Sequence, residues 1–176
     1  MAKQRLTNAV NDGLAEEMRR DPKIILFGED VEVSMTGDTI GLLDEFGPDR
    51  IRNTPICEAT LTGMAVGAAA SGYRVILHMM MANFIYTGFD AIANQMSKLR
   101  LMTGGQITLP ITVMCGYGGG RALAAQHSDT PYSLLMNLGG LNVAVPCNAG
   151  DAKGLLKTAI RSDDPAFFMV PGGRGG

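Results

Sequence analysis

The sequence predicts an α/β domain: a three-layer, mostly parallel sheet with helices on both faces. Three observations lead there. Short apolar runs recur at 24–27, 74–78, 110–115, 141–145 and 166–170. They are continuous rather than alternating, as strands buried on both faces are. Stretches with apolar residues at helical spacing separate them, at 8–20, 58–72, 87–102 and 150–161, which is the pattern of strands joined by crossover helices. Glycine and proline mark the boundaries, and the 23 glycines are nearly twice the usual share of about 7%.

Taken in order, Thr7 is placed to cap a helix over 8–20, with Leu14 and Met18 inward and Glu16, Glu17, Arg19 and Arg20 outward. Asp21-Pro22 stops it. Ile24 to Phe27 reads as a buried strand with Gly28-Glu29-Asp30 at its carboxyl end, followed by a loop over 31–38. A short helix over 39–46 ends at Gly47-Pro48, and Arg50 to Asn53 is extended. Pro55, Ile56 and Cys57 then lead to Glu58, which opens an uncharged helix ending near Gly72. Ala59, Gly63, Gly67 and Ser71 recur every four residues, a stripe of small side chains expected to admit another backbone closely. Strand 74–78 continues apolar through Met79 to Ala82. Phe84 to Tyr86 lead into a helix over 87–102 carrying Phe89, Ile92, Met96 and Leu99, broken by Gly104-Gly105. Pro110 to Cys115 is a strand, Gly116 to Ser128 a loop, and 131–138 a short helix. Leu141 to Val145 is a strand stopped by Pro146, helix 150–161 carries Leu155, Leu156 and Ile160, and Ala166 to Val170 is the last strand. The domain is expected to span 1–170, with PGGRGG at 171–176 as a tail or linker.

Composition excludes several classes. Fifteen basic against seventeen acidic residues, without a Lys/Arg run, give no field for nucleic acid. Cys57, Cys115 and Cys147 are scattered, with no CxxC or Cys/His cluster, so reduced thiols, a cytoplasmic location and no zinc are expected. No signal-like apolar segment opens the chain, and no uninterrupted apolar run reaches the roughly 18 residues of a membrane span.

Parallel sheets bind ligands beyond the carboxyl ends of their strands, so Gly28–Asp30, Met79–Phe84 and Gly116–Ser128 form the expected functional rim. Glu58 has two readings: a solvated acid in a first helical turn, favoured by the helix dipole, or a partly buried acid sharing a proton with a ligand. Spacing leaves both open. GYGGGRALAAQHSDT is neither a P-loop nor GxGxxG. His127 within it is either a solvated loop histidine or a proton-transfer group. Ser128 beside it lacks the GxSxG elbow of hydrolases. Phe84 and Tyr86 are either core residues or flat rings for a heteroaromatic ligand, and His78 reads as an interior histidine.

The run Glu58, Gly63-Met64, Gly67-Ala68 resembles the pyrimidine-domain motif of thiamine-diphosphate enzymes. GED at 28–30, RIRNTPICEA at 50–59, GMAVGAAASGYR at 63–74, NFIYTGFDAI at 83–92, TGGQ at 103–106, AAQHS at 124–128 and DAKGLLKTAIR at 151–161 resemble the beta subunit of 2-oxoacid dehydrogenases of pyruvate, branched-chain and acetoin type. The resemblance runs from about 4 to 170. It implies that Glu58 hydrogen-bonds the aminopyrimidine ring nitrogen of thiamine diphosphate and favours its imino tautomer. It further implies that Phe84 stacks on that ring, that Met80 lines the pocket, and that His127 handles the acyl group on its way to a lipoyl acyltransferase core. A structural potassium ion held by backbone carbonyls of Ile111, Ala159, Ile160, Ser162 and Asp164 is a further implication.

The same resemblance assigns the diphosphate and its magnesium to an alpha-type partner subunit, and implies a homo-oligomer and a second domain that this sequence does not contain. Four positions depart from the pattern: His78 stands where an acid is common, Cys57 where serine is, Gly88 where proline often appears, and Asp129 follows His-Ser where glutamine is usual. The alternative is a shortened, non-catalytic module of the same fold that self-associates through its small-residue face or regulates a full enzyme.

Overall fold

The computed structural model describes residues 4–118 and 123–171. The apolar runs pair into one six-stranded sheet: β1 (Ile24–Gly28), β2 (Ile51–Asn53), β3 (Arg74–Met81), β4 (Ile111–Tyr117), β5 (Asn142–Ala144) and β6 (Ala166–Pro171), in the order β2-β1-β3-β4-β6-β5. Every neighbouring pair is parallel, so all six carboxyl ends open on one edge.

Side chains alternate across the sheet even where the sequence does not. Leu26, Ile76, Met114 and Phe168 face one layer, where α1 (Leu6–Arg20) and α6 (Ala149–Arg161) bury Val10, Leu14, Met18, Leu156 and Ile160. Phe27, Val75, Leu77, Val113 and Phe167 face the other. There α3 (Glu58–Ala70) contributes Leu61, Ala65 and Ala69, and the segment after β3 contributes Ile85, Ile92 and Met96. Each buried Val, Leu, Ile, Phe or Met among them contributes about 1.5–3 kcal/mol by leaving water. Three short helices complete the chain: α2 (Leu42–Phe46), α4 (Leu99–Met102) and α5 (Tyr132–Met136). The Asn148 side chain caps α6 by accepting from the Asp151 N–H at 2.9 Å, satisfying one of the donors a helix start leaves open.

The structure corrects the sequence reading at five places. Helix α1 starts at Leu6 with Arg5 at its cap position, not at Thr7, because Leu6 is buried in the core. Glu17 does not face outward: it is buried between α1 and α6, where Arg20 and Arg161 bond both its oxygens. The helix expected over 87–102 is not one helix. A 3₁₀ turn over Ala82–Tyr86 and a π-helical stretch over Ala91–Met96 precede α4, with the Ser97 N–H reaching back to Ile92 O at 3.0 Å. The wider turn still buries Ile92 and Met96, so packing overrode the regular period. The small stripe of α3 faces outward: a Cβ on Gly63 or Gly67 would meet no described atom within 4 Å, and the buried face is Leu61, Thr62, Ala65, Val66 and Ala69. Pro171, expected in the tail, ends β6; the rest of PGGRGG lies outside the described residues, as do 119–122 of the glycine-rich loop.

Candidate functional site

A parallel sheet gathers its strand ends, and the rim is built from four of them. Gly28 closes β1 at φ +154°, where a Cβ would lie 2.1 Å from His78 O; only glycine lets β1 and β3 meet so closely. The chain then turns Glu29 inward, 4% exposed. Its Oε1 is buried and has no hydrogen-bond partner among the described residues. Burial first, and the facing Glu58 carboxyl second, push its pKa up to about 7.

Glu58 opens α3 and is 9% exposed, so the solvated reading of this acid fails. Thr62 Oγ1 donates to Glu58 O at 2.7 Å. Thr87 Oγ1 lies 3.1 Å from Glu58 Oε2 and 2.9 Å from Phe84 O, and its single hydrogen serves one at a time. Gly88 lets this segment approach: a Cβ there would meet Thr62 Oγ1 at 2.4 Å and Glu58 O at 2.9 Å.

The pairing of β3 with β4 shifts register between His78 and Met81, a bulge that turns Met80 into the left-handed region at φ +51°. Phe84 sits on the following 3₁₀ turn. The Phe84 ring meets the imidazole of His127 edge-on, with centroids 5.4 Å apart and planes at 82°. His127 rides on a short turn, Ala125–His127. That loop is pinned by Tyr86 Oη donating to Asp129 Oδ2 (3.1 Å), by the Asp129 N–H to Asn83 Oδ1 (3.3 Å) and by the Gly118 N–H to Asp129 O (3.1 Å). Met80 and His127 line a cavity of about 30 Å³ together with Asp38 and His78. Glu58 is not in its wall; it joins the site through Thr87 and Phe84.

Sequence reasoning singled out Glu58, Met80, Phe84 and His127, and the fold brings them to one rim. It missed Thr87 and Asp38, and it placed Glu29 on the rim without a role. An acid at the carboxyl end of a buried strand was the available signal for Glu29. His78 is interior, as read, but it is not merely packed: its Nε2 lies 3.1 Å from Asp38 Oδ2.

The carbonyls implicated in potassium binding lie at the opposite, amino-terminal edge, where β4 and β6 begin. Arg74 Nη1 donates there to Ile160 O (2.7 Å) and Ser162 O (2.6 Å), Ala159 O accepts from the Ser162 N–H, and the Asp164 carboxylate pairs with Arg100. Among the described residues no group of three His, Cys, Asp or Glu side chains could hold a metal ion, and no helix is long and apolar enough to cross a membrane.

Comparison with known proteins bears on the family and the fold. Residues 2–174 match the model of the transketolase pyrimidine binding domain. The chain is 42% identical over 178 residues to the acetoin:2,6-dichlorophenolindophenol oxidoreductase subunit beta of Bacillus subtilis (strain 168), covering 93% of this chain and 52% of that one. It is 38% identical over 171 residues to the pyruvate dehydrogenase E1 component subunit beta of Staphylococcus aureus (strain Mu50), covering 96% and 53%. Among solved structures, one described as a split gene transketolase, inactive beta4 tetramer, superposes with a TM-score of 0.76 at 23% identity, covering 99% of this chain and 53% of the other; it supports the fold alone. The chain thus spans about half the length of the curated relatives it matches.

Proposed function

The chain belongs to the transketolase pyrimidine-binding domain family, and on that premise we propose that it is the pyrimidine-binding half of a thiamine-diphosphate-dependent 2-oxoacid dehydrogenase (decarboxylating) component, acting as a beta-type subunit. The observation that carries this reading is Glu58: a nearly buried carboxyl on the rim, one oxygen fixed by Thr87, beside a second buried carboxyl with an unpartnered oxygen. A buried acid with spare hydrogen-bonding capacity suits a ring nitrogen that must gain and lose a proton. Bound thiamine diphosphate supplies the carbon nucleophile and electron sink for decarboxylating a 2-oxo acid.

The chain's own residues supply the rest. Glu58 is the group that exchanges a proton with the aminopyrimidine ring nitrogen, and Thr87 orients its carboxyl. Glu29, protonated up to about pH 7, spares the crevice a second negative charge. Phe84 offers a flat wall and Met80 an adaptable one. His127, held edge-on by Phe84, is placed to move protons at the acyl group before its transfer to a lipoyl acyltransferase core.

The same proposal assigns diphosphate and magnesium to an alpha-type partner, the assembly to a homo-oligomer of such pairs, and the location to the cytoplasm. Potassium at Ile111, Ala159, Ile160, Ser162 and Asp164 would share two oxygens with Arg74. Each carbonyl has a second lone pair, so flame photometry of dialysed protein decides the point.

The test is reconstitution. The chain is mixed with the alpha subunit of a pyruvate or acetoin dehydrogenase, titrated with thiamine diphosphate and assayed for decarboxylation of 2-oxo acids. Turnover is expected with the partner and not without it. Glu58→Gln is expected to lower kcat at least about a hundredfold, the scale of a lost acid–base group; a variant that keeps most activity removes Glu58 from its role. A second reading, a non-catalytic self-associating module, is favoured by the outward small-residue face of α3. It prevails if no partner restores cofactor binding or turnover.

A further inference from the structure

We propose that Asp38 and His78 form a positioning unit that holds Met80 in its left-handed conformation and thereby sets the floor of the pyrimidine crevice. The second half rests on reading Met80 as a cofactor-facing residue; the first does not. A methionine at φ +51° is sterically disfavoured and persists only where its surroundings over-determine it. The β3 bulge takes the Met80 N–H out of the regular ladder, and a backbone donor at a partly buried position needs an acceptor. The imidazole of His78 provides it: the Met80 N–H donates to Nδ1 at 3.3 Å.

That bond fixes the tautomer. With Nδ1 accepting, the proton sits on Nε2, 3.1 Å from Asp38 Oδ2 and 3.4 Å from Thr36 Oγ1. Asp38 is itself held: Thr36 Oγ1 donates to its Oδ1, and Asn11 of α1 donates to Asp38 O and Ile40 O at 3.0 Å each. His78 and Asp38 are 3% and 5% exposed, so both bonds are made away from bulk water. A doubly protonated imidazole would set Nδ1–H against the Met80 N–H, two donors with no acceptor. The unit therefore works with neutral His78. Among the described residues, the ionisable groups around it are Asp38, Glu29 from the turn after β1, and Tyr117 and His127 in the wall of the same cavity.

The chain has only two histidines, so nitrogen-15 histidine labelling of the whole chain resolves both. His78 is expected as the neutral Nε2–H tautomer at about pH 7; an Nδ1–H or doubly protonated ring overturns the proposal without any variant. His78→Asn places an acceptor oxygen near the Nδ1 position, whereas His78→Gln reaches toward Asp38 and leaves the Met80 N–H without a partner. The Met80 amide is expected to exchange at least about tenfold faster in His78→Gln than in His78→Asn, the scale of one hydrogen bond. Equal exchange overturns the positioning role. With the alpha-type partner present, His78→Gln is expected to weaken thiamine diphosphate binding about tenfold and His78→Asn much less. If all three forms bind alike while the exchange difference holds, the crevice half is overturned alone. If none binds, the proposed function fails and the positioning unit stands.

Discussion

Replacing Glu29 with glutamine should make the fold more stable above neutrality and leave it unchanged in acid. The ordinary pKa of this carboxyl is 4.5, and burial, reinforced by the nearby Glu58 and Asp30 charges, pushes it up to about 7. In the unfolded chain the group ionises near 4.5; in the folded chain it keeps its proton to about 7. The native state binds the extra proton throughout that window, so stability falls as pH rises through it. The contribution is complete below about 4.5 and gone above about 7. At 1.36 kcal/mol per pH unit the span corresponds to about 3 kcal/mol. Glutamine has no charged form and escapes the loss. Urea unfolding of both proteins, followed by circular dichroism between about pH 4 and pH 8, measures the difference. The variant should gain from near zero at the acid end to about 3 kcal/mol at the alkaline end, a large fraction of a typical fold's stability. Glu58→Gln should narrow the window without closing it, because burial is the larger cause. Parallel stability curves for Glu29→Gln and the parent would refute the reasoning: Glu29 would then ionise normally, and the crevice would carry two charges at neutral pH.

Three further outcomes follow from particular contacts. Glu17→Ala removes a buried carboxylate bonded to Arg20 and Arg161 and should cost about 2–3 kcal/mol, the scale of charge-assisted bonds. Burial works against ionisation of Glu17, but the two arginines hold its pKa below 4.5, so this stability should fade as pH drops below that value, read as a converging Tm of parent and variant in acid. Gly88→Ala drives a methyl into Thr62 Oγ1 and Glu58 O; thermal melts should show a loss of about 1–3 kcal/mol, as overpacking does, and an unchanged melt would mean the two segments are looser than described. Tyr86→Phe deletes the half-exposed bond to Asp129 at about 0.5–1 kcal/mol. Hydrogen exchange should quicken at the Asp129 and Gly118 amides and not in β3 or β4.

Much of the architecture was legible because it is local. A run such as Ile24 to Phe27 is too short for a helix and too continuous for a one-sided strand, so it names its own place in a parallel sheet. Parallel strands then fix the rim, and Met80, Phe84 and His127 could be placed on it before any contact was known, whereas Glu58 entered the site through the family resemblance. Glu17 and the α3 stripe were misread for a common reason. An acid on a helix reads as exposed unless its arginine partner is in view, and Arg161 lies 144 residues away. Small residues read as a packing face, yet Leu61, Ala65 and Ala69 took that place against the sheet.

The sequence by itself determined the strands, the crossover helices other than the one between β3 and β4, and which acid stands at the mouth of α3, since hydrophobic period and chain stops are properties of neighbouring residues. Only the tertiary structure decided that Glu29 confronts Glu58, that Asp38 reaches across 40 residues to His78, and that Phe84 meets His127. Those pairings depend on how the strand ends converge, and ionisation and tautomer follow from the neighbours that convergence supplies rather than from the residues alone.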